Sequence, residues 1–131
     1  MKKLFFILII ISSVVQGVLL EPATGILAGV NLDYAEFTSA EFNSTTKIDH
    51  AFFVVFTGWP PDYNNLSQKV EQISHVRAAL VVTPMPWHDP YEIPDSEINE
   101  FAKHISDYVY DFDVPVLVRF AHEMNGDWYP Y

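Results

Sequence analysis

Four short apolar runs alternate along the chain with segments whose apolar residues recur at helical spacing. The runs are rich in Val, Ile, Leu and Phe, and they span residues 26–32, 48–56, 77–83 and 115–121. Near-continuous hydrophobicity over such lengths is typical of strands buried on both faces of a parallel sheet. The pattern therefore predicts four β-strands in one parallel sheet, in the order 1-2-3-4.

The segments between the runs predict three helices. The strongest spans 95–112, where Asp95 or Ser96 is the expected cap and one apolar stripe is formed by Ile98, Phe101, Ala102, Ile105, Tyr108, Val109 and Phe112. A second helix carries Leu66, Val70 and Ile73, and Thr38 with Glu41 forms a capping box for a short first helix. The order β-α-β-α-β-α-β indicates an α/β fold, with functional residues expected beyond the strand carboxyl ends.

The fourth run leads into charged residues. Alternation along a strand that continues to residue 123 places Arg119 and Glu123 on one face. Phe120 and His122 fall on the opposite, more apolar face, which we expect to pack against helices. Arg119 and Glu123 then point into a confined interior, where charged groups need partners or a chemical role.

The beginning of the chain has the layout of a secretory signal peptide. Residues 1–17 combine two lysines, an apolar run and small residues near a cleavage point after Gly17. The apolar run at 4–11 is shorter than the about 20 residues of a membrane span. We therefore expect a secreted protein with no stable membrane anchor after cleavage, a linker at 18–25 and one domain at 26–131. Asn43 and Asn65 begin N-x-S/T sequons and are candidate glycosylation sites.

The composition of the chain limits the kinds of partner that we expect it to bind. The chain has 7 basic and 17 acidic residues and a net charge of −10, which argues against nucleic acid and anionic polymers and fits a neutral polysaccharide. The five histidines show no H-E-x-x-H spacing, and no Gly-rich phosphate loop is present. We expect neither a metal nor a cofactor.

The last segment carries the most specific motif. Arg119 to Tyr129 reads R-x-x-H-E-x-N-G-x-W-Y, which resembles the signature around the acid/base glutamate of glycoside hydrolase family 26, best known for β-mannanases. The resemblance implies a (β/α)8 TIM barrel with the motif at the end of strand four. It also implies that Glu123 is the acid/base of a retaining endo-acting glycosidase and that the nucleophile is a glutamate on strand seven, which has no counterpart before Tyr131.

A complete barrel of this kind needs about 250 residues, whereas this sequence has 131. The predicted elements are therefore the first half of a TIM barrel, strands one to four. We interpret the chain as a fragment or truncated form; a genuine half-barrel is the alternative.

Other residues at the strand ends are candidate substrate-binding groups. Stacking aromatics and polar neighbours suit a pyranose, and the candidates are Arg119, His122, Asn125, Trp128, Tyr129, Trp59 and Trp87. Each has a structural alternative: an ordinary ion pair for Arg119, a structural histidine for His122, and core packing for the aromatics. Pro130 stands where the family pattern usually has an aromatic. Asp33, after the first strand, is best interpreted as structural.

The sequence thus predicts a partial, secreted glycoside hydrolase acting on a β-linked polysaccharide, with β-1,4-mannan first, then mixed-linkage β-glucan and β-xylan. The alternative is an inactive carbohydrate-binding or vestigial protein.

Overall fold

A computed structural model describes residues 25–129 of the chain. The predicted signal peptide and nearly all of the predicted linker lie outside this part. The elements, in chain order, are β1 (Gly29–Asn31), α1 (Ser39–Thr46), β2 (Phe52–Gly58), α2 (Tyr63–His75), β3 (Ala79–Met85), α3 (Asp95–Phe112) and β4 (Val116–Val118), with a 3₁₀ turn at Pro90–Glu92 before α3.

The strands form one parallel sheet in the order β1-β2-β3-β4. Phe53 of β2 is in register with Val30 of β1 and with Leu80 of β3, and Leu80 is in register with Val116 of β4. The predicted α/β class, strand order and parallel pairing are confirmed. That this sheet is half of an eight-stranded barrel stays a prediction.

The strand bounds differ from the predicted ones according to how each strand is paired. The central strands β2 and β3 run on to Gly58 and Met85, because seven residues of each pair with the other. The outer strands β1 and β4 keep only three residues each, since each has a single neighbour. At β1, Gly29 leaves room for the Phe52 ring, whose Cε2 would lie 1.8 Å from any Cβ at position 29.

The core lies between the sheet and the helices, on one face of the sheet. Phe53, Val55, Leu80 and Val82 project from the central strands and are buried. Leu66, Val70 and Ile73 of α2 and Phe101 and Tyr108 of α3 pack against them. Burying each large apolar side chain contributes about 1.5–3 kcal/mol, so these contacts fix how α2 and α3 sit on the sheet.

The opposite face of the sheet is only partly covered among residues 25–129, although Thr83 of β3 is fully buried there. Phe52, Val54 and Phe56 of β2 are only partly buried there, and Leu117 of β4 is exposed. The helices cover one side only, as the outer layer of a barrel does. The expectation that this face forms a confined interior is wrong for the described part of the chain.

The helix predictions are correct in place and partly wrong in detail. The Thr38–Glu41 capping box is present, and Asp62 caps α2. The bounds of α3 are as predicted, but its N-cap is Pro94, which makes no side-chain cap bond, so the caps proposed at Asp95 and Ser96 are wrong.

The apolar stripe of α3 is wider than the surface that covers it. Phe101 and Tyr108 are buried, and Ile105 and Phe112 are partly buried. Ile98 and Val109 are nearly half exposed, because they lie beyond the part of α3 that α2 and the sheet cover.

Candidate functional site

The residues singled out from the sequence follow three neighbouring strands at one edge of the sheet. Trp59 follows β2, Trp87 follows β3, and the segment from Arg119 to Tyr129 follows β4. Because the strands are parallel, these segments all leave the sheet at its carboxyl edge, where ligands bind in α/β folds.

A backbone kink separates β4 from the motif. The ladder to β3 continues past β4, since the Arg119 N–H donates to the Val82 carbonyl at 2.9 Å and the Ala121 N–H donates to the Pro84 carbonyl at 3.1 Å. Ala121 and Glu123 then adopt left-handed conformations, with φ of 54° and 59°. Such conformations are uncommon outside glycine, and here they end the strand alternation before Glu123.

The kink changes which side chains share a face. The Arg119 guanidinium lies 5.4 Å from the centroid of the Phe56 ring. The His122 ring packs edge-on against the same ring at 5.2 Å. Arg119 and His122 were expected on opposite faces; that expectation is wrong, because the left-handed residue Ala121 turns His122 to the open face.

Phe56 was missed as a site residue. It is the platform on which both Arg119 and His122 rest. Its position near the carboxyl end of the second apolar run was the available signal, but continuous hydrophobicity does not show which face a residue occupies.

Each carboxylate oxygen of Glu123 has a close polar partner. Oε1 lies 3.0 Å from His122 Nε2, and Oε2 accepts a 2.9 Å hydrogen bond from the Trp128 indole N–H. The Glu123 side chain is 44% exposed. The expectation that Glu123 lies in a confined interior is therefore wrong for residues 25–129, where its oxygens face His122 and the Trp128 N–H.

Aromatic rings surround this carboxylate. Trp87 and Trp128 are each 61% exposed. Tyr129 lies between Trp87 and His122, with ring centroids 5.6 Å and 6.4 Å away. The structure thus brings together Trp87, His122, Glu123, Trp128 and Tyr129 from two loops, while Asn125 stands exposed in the turn beside them.

Trp59 does not belong to this surface. It is 9% exposed, packs against Phe101 and Phe120, and donates its indole N–H to Glu97 at 2.9 Å. A ring with both faces covered offers no platform to a sugar, so the proposed stacking role of Trp59 is replaced by its core-packing alternative.

Two charged candidates make local contacts. Among residues 25–129 no acidic side chain forms an ion pair with Arg119, whose contact is the Phe56 ring. Asp33 accepts a 2.9 Å hydrogen bond from the Ala35 N–H and closes the turn after β1, as its structural interpretation predicts.

The two sequons have different surroundings. Asn43 is buried in α1, where its amide oxygen accepts from His50 Nδ1 at 2.8 Å. At 9% exposure, Asn43 leaves little room for a glycan on its side-chain nitrogen, so the structure argues against the glycosylation prediction for Asn43. Asn65 is exposed in the first turn of α2 and has room for a glycan.

The opposite edge of the sheet holds an open hollow of about 560 Å³ lined by Asn43, Lys47, Asp49 and His75, among others. It lies by the residues that precede β2 and β3, away from the motif. Within residues 25–129, no group of three or more His, Asp or Glu side chains is placed to hold a metal ion. No helix in that part of the chain is long and apolar enough to span a bilayer.

The arrangement defines an α/β protein with a carboxylate and exposed aromatic rings at the carboxyl edge of a parallel sheet. Comparison with models of known protein families gives no match. Comparison with curated proteins gives no match either.

Proposed function

We propose that this chain provides the acid/base half of the active site of a secreted, retaining glycoside hydrolase that resembles family 26 and cleaves a β-linked polysaccharide, with β-1,4-mannan as the first candidate. One observation carries the proposal. The Glu123 carboxyl accepts from the Trp128 indole N–H and lies 3.0 Å from His122 Nε2 at the carboxyl edge of the sheet, beside the exposed rings of Trp87 and Trp128.

The chemistry requires a group with the placement of Glu123. A retaining glycosidase uses one carboxyl group to protonate the leaving oxygen and then to activate water. A second carboxylate, about 5–5.5 Å away, attacks the anomeric carbon. We assign the first role to Glu123 and assign the second to no residue of this sequence.

The exposed aromatic rings support a sugar as the substrate class. A pyranose presents C–H groups on its faces and hydroxyls at its edge, so it packs on exposed rings and hydrogen-bonds to neighbouring polar groups. Trp87, Trp128 and Tyr129 supply rings, while Asn125 and His122 supply polar groups. The net charge of −10 fits a neutral β-glycan.

A binding comparison tests the substrate class. Mannohexaose, a mixed-linkage β-glucan hexasaccharide and xylohexaose are titrated into the chain and into Trp87→Ala, with Tyr110→Ala as matched control, because Tyr110 is an exposed aromatic on α3, remote from the site. We expect mannohexaose binding that weakens about tenfold or more in Trp87→Ala and stays unchanged in Tyr110→Ala. Equal affinities in all three proteins would contradict the proposal.

The catalytic role is tested in a form of the protein that supplies the second carboxylate. There Glu123→Gln should slow mannan hydrolysis by about 10²–10⁴-fold. An activated aryl glycoside should be affected much less in the first step, because its leaving group needs no proton. Azide should partly restore turnover by attacking the glycosyl-enzyme. Unchanged mannan hydrolysis would refute the assignment of Glu123.

The second candidate is a carbohydrate-binding protein without turnover. It is favoured by the exposure of Glu123 and by the contacts of its carboxylate, which within residues 25–129 are His122 and Trp128 and include no second carboxylate. Oligosaccharide binding that survives Glu123→Gln, together with no release of reducing ends in any form of the protein, would select this candidate.

A further inference from the structure

The turn from residue 123 to 128 folds back on itself. The Gly126 N–H donates to the Glu123 carbonyl at 2.9 Å, which closes the turn. The Trp128 ring then lies against Gly126, where a Cβ would be 2.4 Å from both Cε2 and Cζ2 of the indole. That distance is shorter than any ordinary contact, so the ring occupies its place only because residue 126 has no side chain.

This packing directs the indole N–H at the acid/base carboxyl. With the ring over Gly126, Trp128 Nε1 is 2.9 Å from Glu123 Oε2. Trp128 is otherwise exposed, so neighbouring side chains do little to fix its orientation. Within residues 25–129, the packing on Gly126 and the hydrogen bond to Glu123 both hold the ring in this orientation.

The two oxygens of Glu123 are therefore not equivalent. An indole N–H only donates, so Oε2 remains an acceptor whether the carboxyl is charged or neutral. His122 Nε2 faces Oε1 at 3.0 Å, and a neutral imidazole nitrogen is able to accept. The acid form of Glu123 then carries its proton on Oε1.

We propose that Trp128 and Gly126 are positioning residues for Glu123: the glycine seats the indole, and the indole N–H fixes Oε2, which leaves Oε1 as the oxygen that carries the proton. The catalytic meaning of this arrangement rests on the proposed function. The hydrogen bond between Trp128 and Glu123 does not depend on the proposed function, and it is measured separately.

The indole N–H resonances of the chain provide the test. Trp59, Trp87 and Trp128 give three signals in a ¹⁵N–¹H spectrum. The Trp128 signal should shift as Glu123 is titrated with acid, and in Glu123→Gln this response should disappear. Trp59 donates to Glu97, so its signal should respond to Glu97→Gln and not to Glu123→Gln, which makes it an internal control for folding and assignment.

Gly126→Ala tests the role of the glycine. The added methyl group should displace the exposed Trp128 ring and remove the response of its signal to Glu123, while the Trp59 signal stays in place. If Gly126→Ala does not fold, the comparison between the wild-type protein and Glu123→Gln still decides the hydrogen bond. A Trp128 signal that does not shift during the acid titration of the wild-type protein, or that shifts equally in Glu123→Gln, would overturn the proposal.

The effect on catalysis is measured in a form of the protein that supplies the second carboxylate. Trp128→Phe keeps a ring and loses the N–H, so we expect kcat on mannan to fall about tenfold with KM nearly unchanged. A rise in KM with kcat unchanged would show a binding platform and overturn the positioning role. If the indole signals behave as expected and no β-glycan binds, the proposed function fails while the hydrogen bond stands.

Discussion

Trp59 and Trp87 both follow a strand at the same edge of the sheet, and their surroundings assign them different roles. The Trp59 ring lies between Phe101 and Phe120 and its N–H is bonded to Glu97. The Trp87 ring is mostly exposed and contacts Tyr129. A difference in burial at the residue scale therefore separates a core residue from a surface available to a ligand.

This difference predicts opposite effects on stability. Trp59→Ala removes a buried ring and leaves Glu97 without its donor, so we expect a loss of about 3–5 kcal/mol in the free energy of unfolding. Trp87→Ala should change it by no more than about 0.5 kcal/mol. Urea unfolding followed by circular dichroism measures both, and similar losses in the two variants would contradict the assignment.

At the scale of single elements, α1 depends on its first turn. It has eight residues and a weakly apolar sequence, so propensity alone does not stabilise it. Its start is fixed by the capping box, in which the Thr38 hydroxyl accepts from the Glu41 N–H and the Glu41 carboxylate accepts from the Thr38 N–H at 2.9 Å. The sequence predicted this element from those two residues.

The capping box gives α1 a defined response to acid. The hydrogen bond from the Thr38 N–H, followed by that from its hydroxyl, lowers the pKa of the Glu41 carboxyl below its ordinary value of 4.5. Because the folded-state pKa is the lower one, the contribution of Glu41 is present above pH 4.5 and is lost as the pH falls through the lowered pKa. Glu41→Ala should therefore lower Tm at pH 7.

Thermal unfolding at neutral and acidic pH checks the sign of this pH dependence. The difference in Tm between the wild-type protein and Glu41→Ala should be largest at neutral pH and should shrink as the pH is lowered below 4.5. Glu36→Ala, at an exposed acidic residue before the helix, serves as the control for net charge. A Tm difference that stays constant or grows as the pH falls would contradict the capping role of Glu41.

At the scale of the whole molecule, stability is concentrated in the middle of the sheet. The central strands β2 and β3 pair over seven residues and carry the buried core, whereas β1 and β4 pair over three. We expect the slowest amide hydrogen exchange at Val55 and Val82, and faster exchange in β1 and β4 by local opening. Exchange in β4 as slow as in β3 would show that the molecule opens only as a unit.

The parts of this arrangement that were predictable are those set by local pattern. Strand order and the bounds of α3 followed from runs and periodicity in the sequence. Most residues of the site were predictable, although Phe56 was missed and Trp59 was wrongly included, and the geometry of the site was not predictable. Nothing in the sequence around Ala121 indicates a left-handed residue, so strand parity placed His122 on the wrong face. The burial of Trp59 and of Asn43 depends on partners far away in the chain, Phe101 and His50, which local pattern does not identify.

The left-handed backbone at Ala121 and Glu123 has a consequence for how this segment tolerates change. Gly and Asn enter that conformation at the lowest cost, so a library of single substitutions selected only for solubility should enrich them at both positions. If Glu123 is the acid/base as proposed, selection for turnover should keep that preference at 121 and reverse it at 123, where a carboxylate would be needed. Under the proposed function, folding and catalysis then favour different residues at position 123. The size of that difference in a mutational scan would measure how much backbone strain this segment retains.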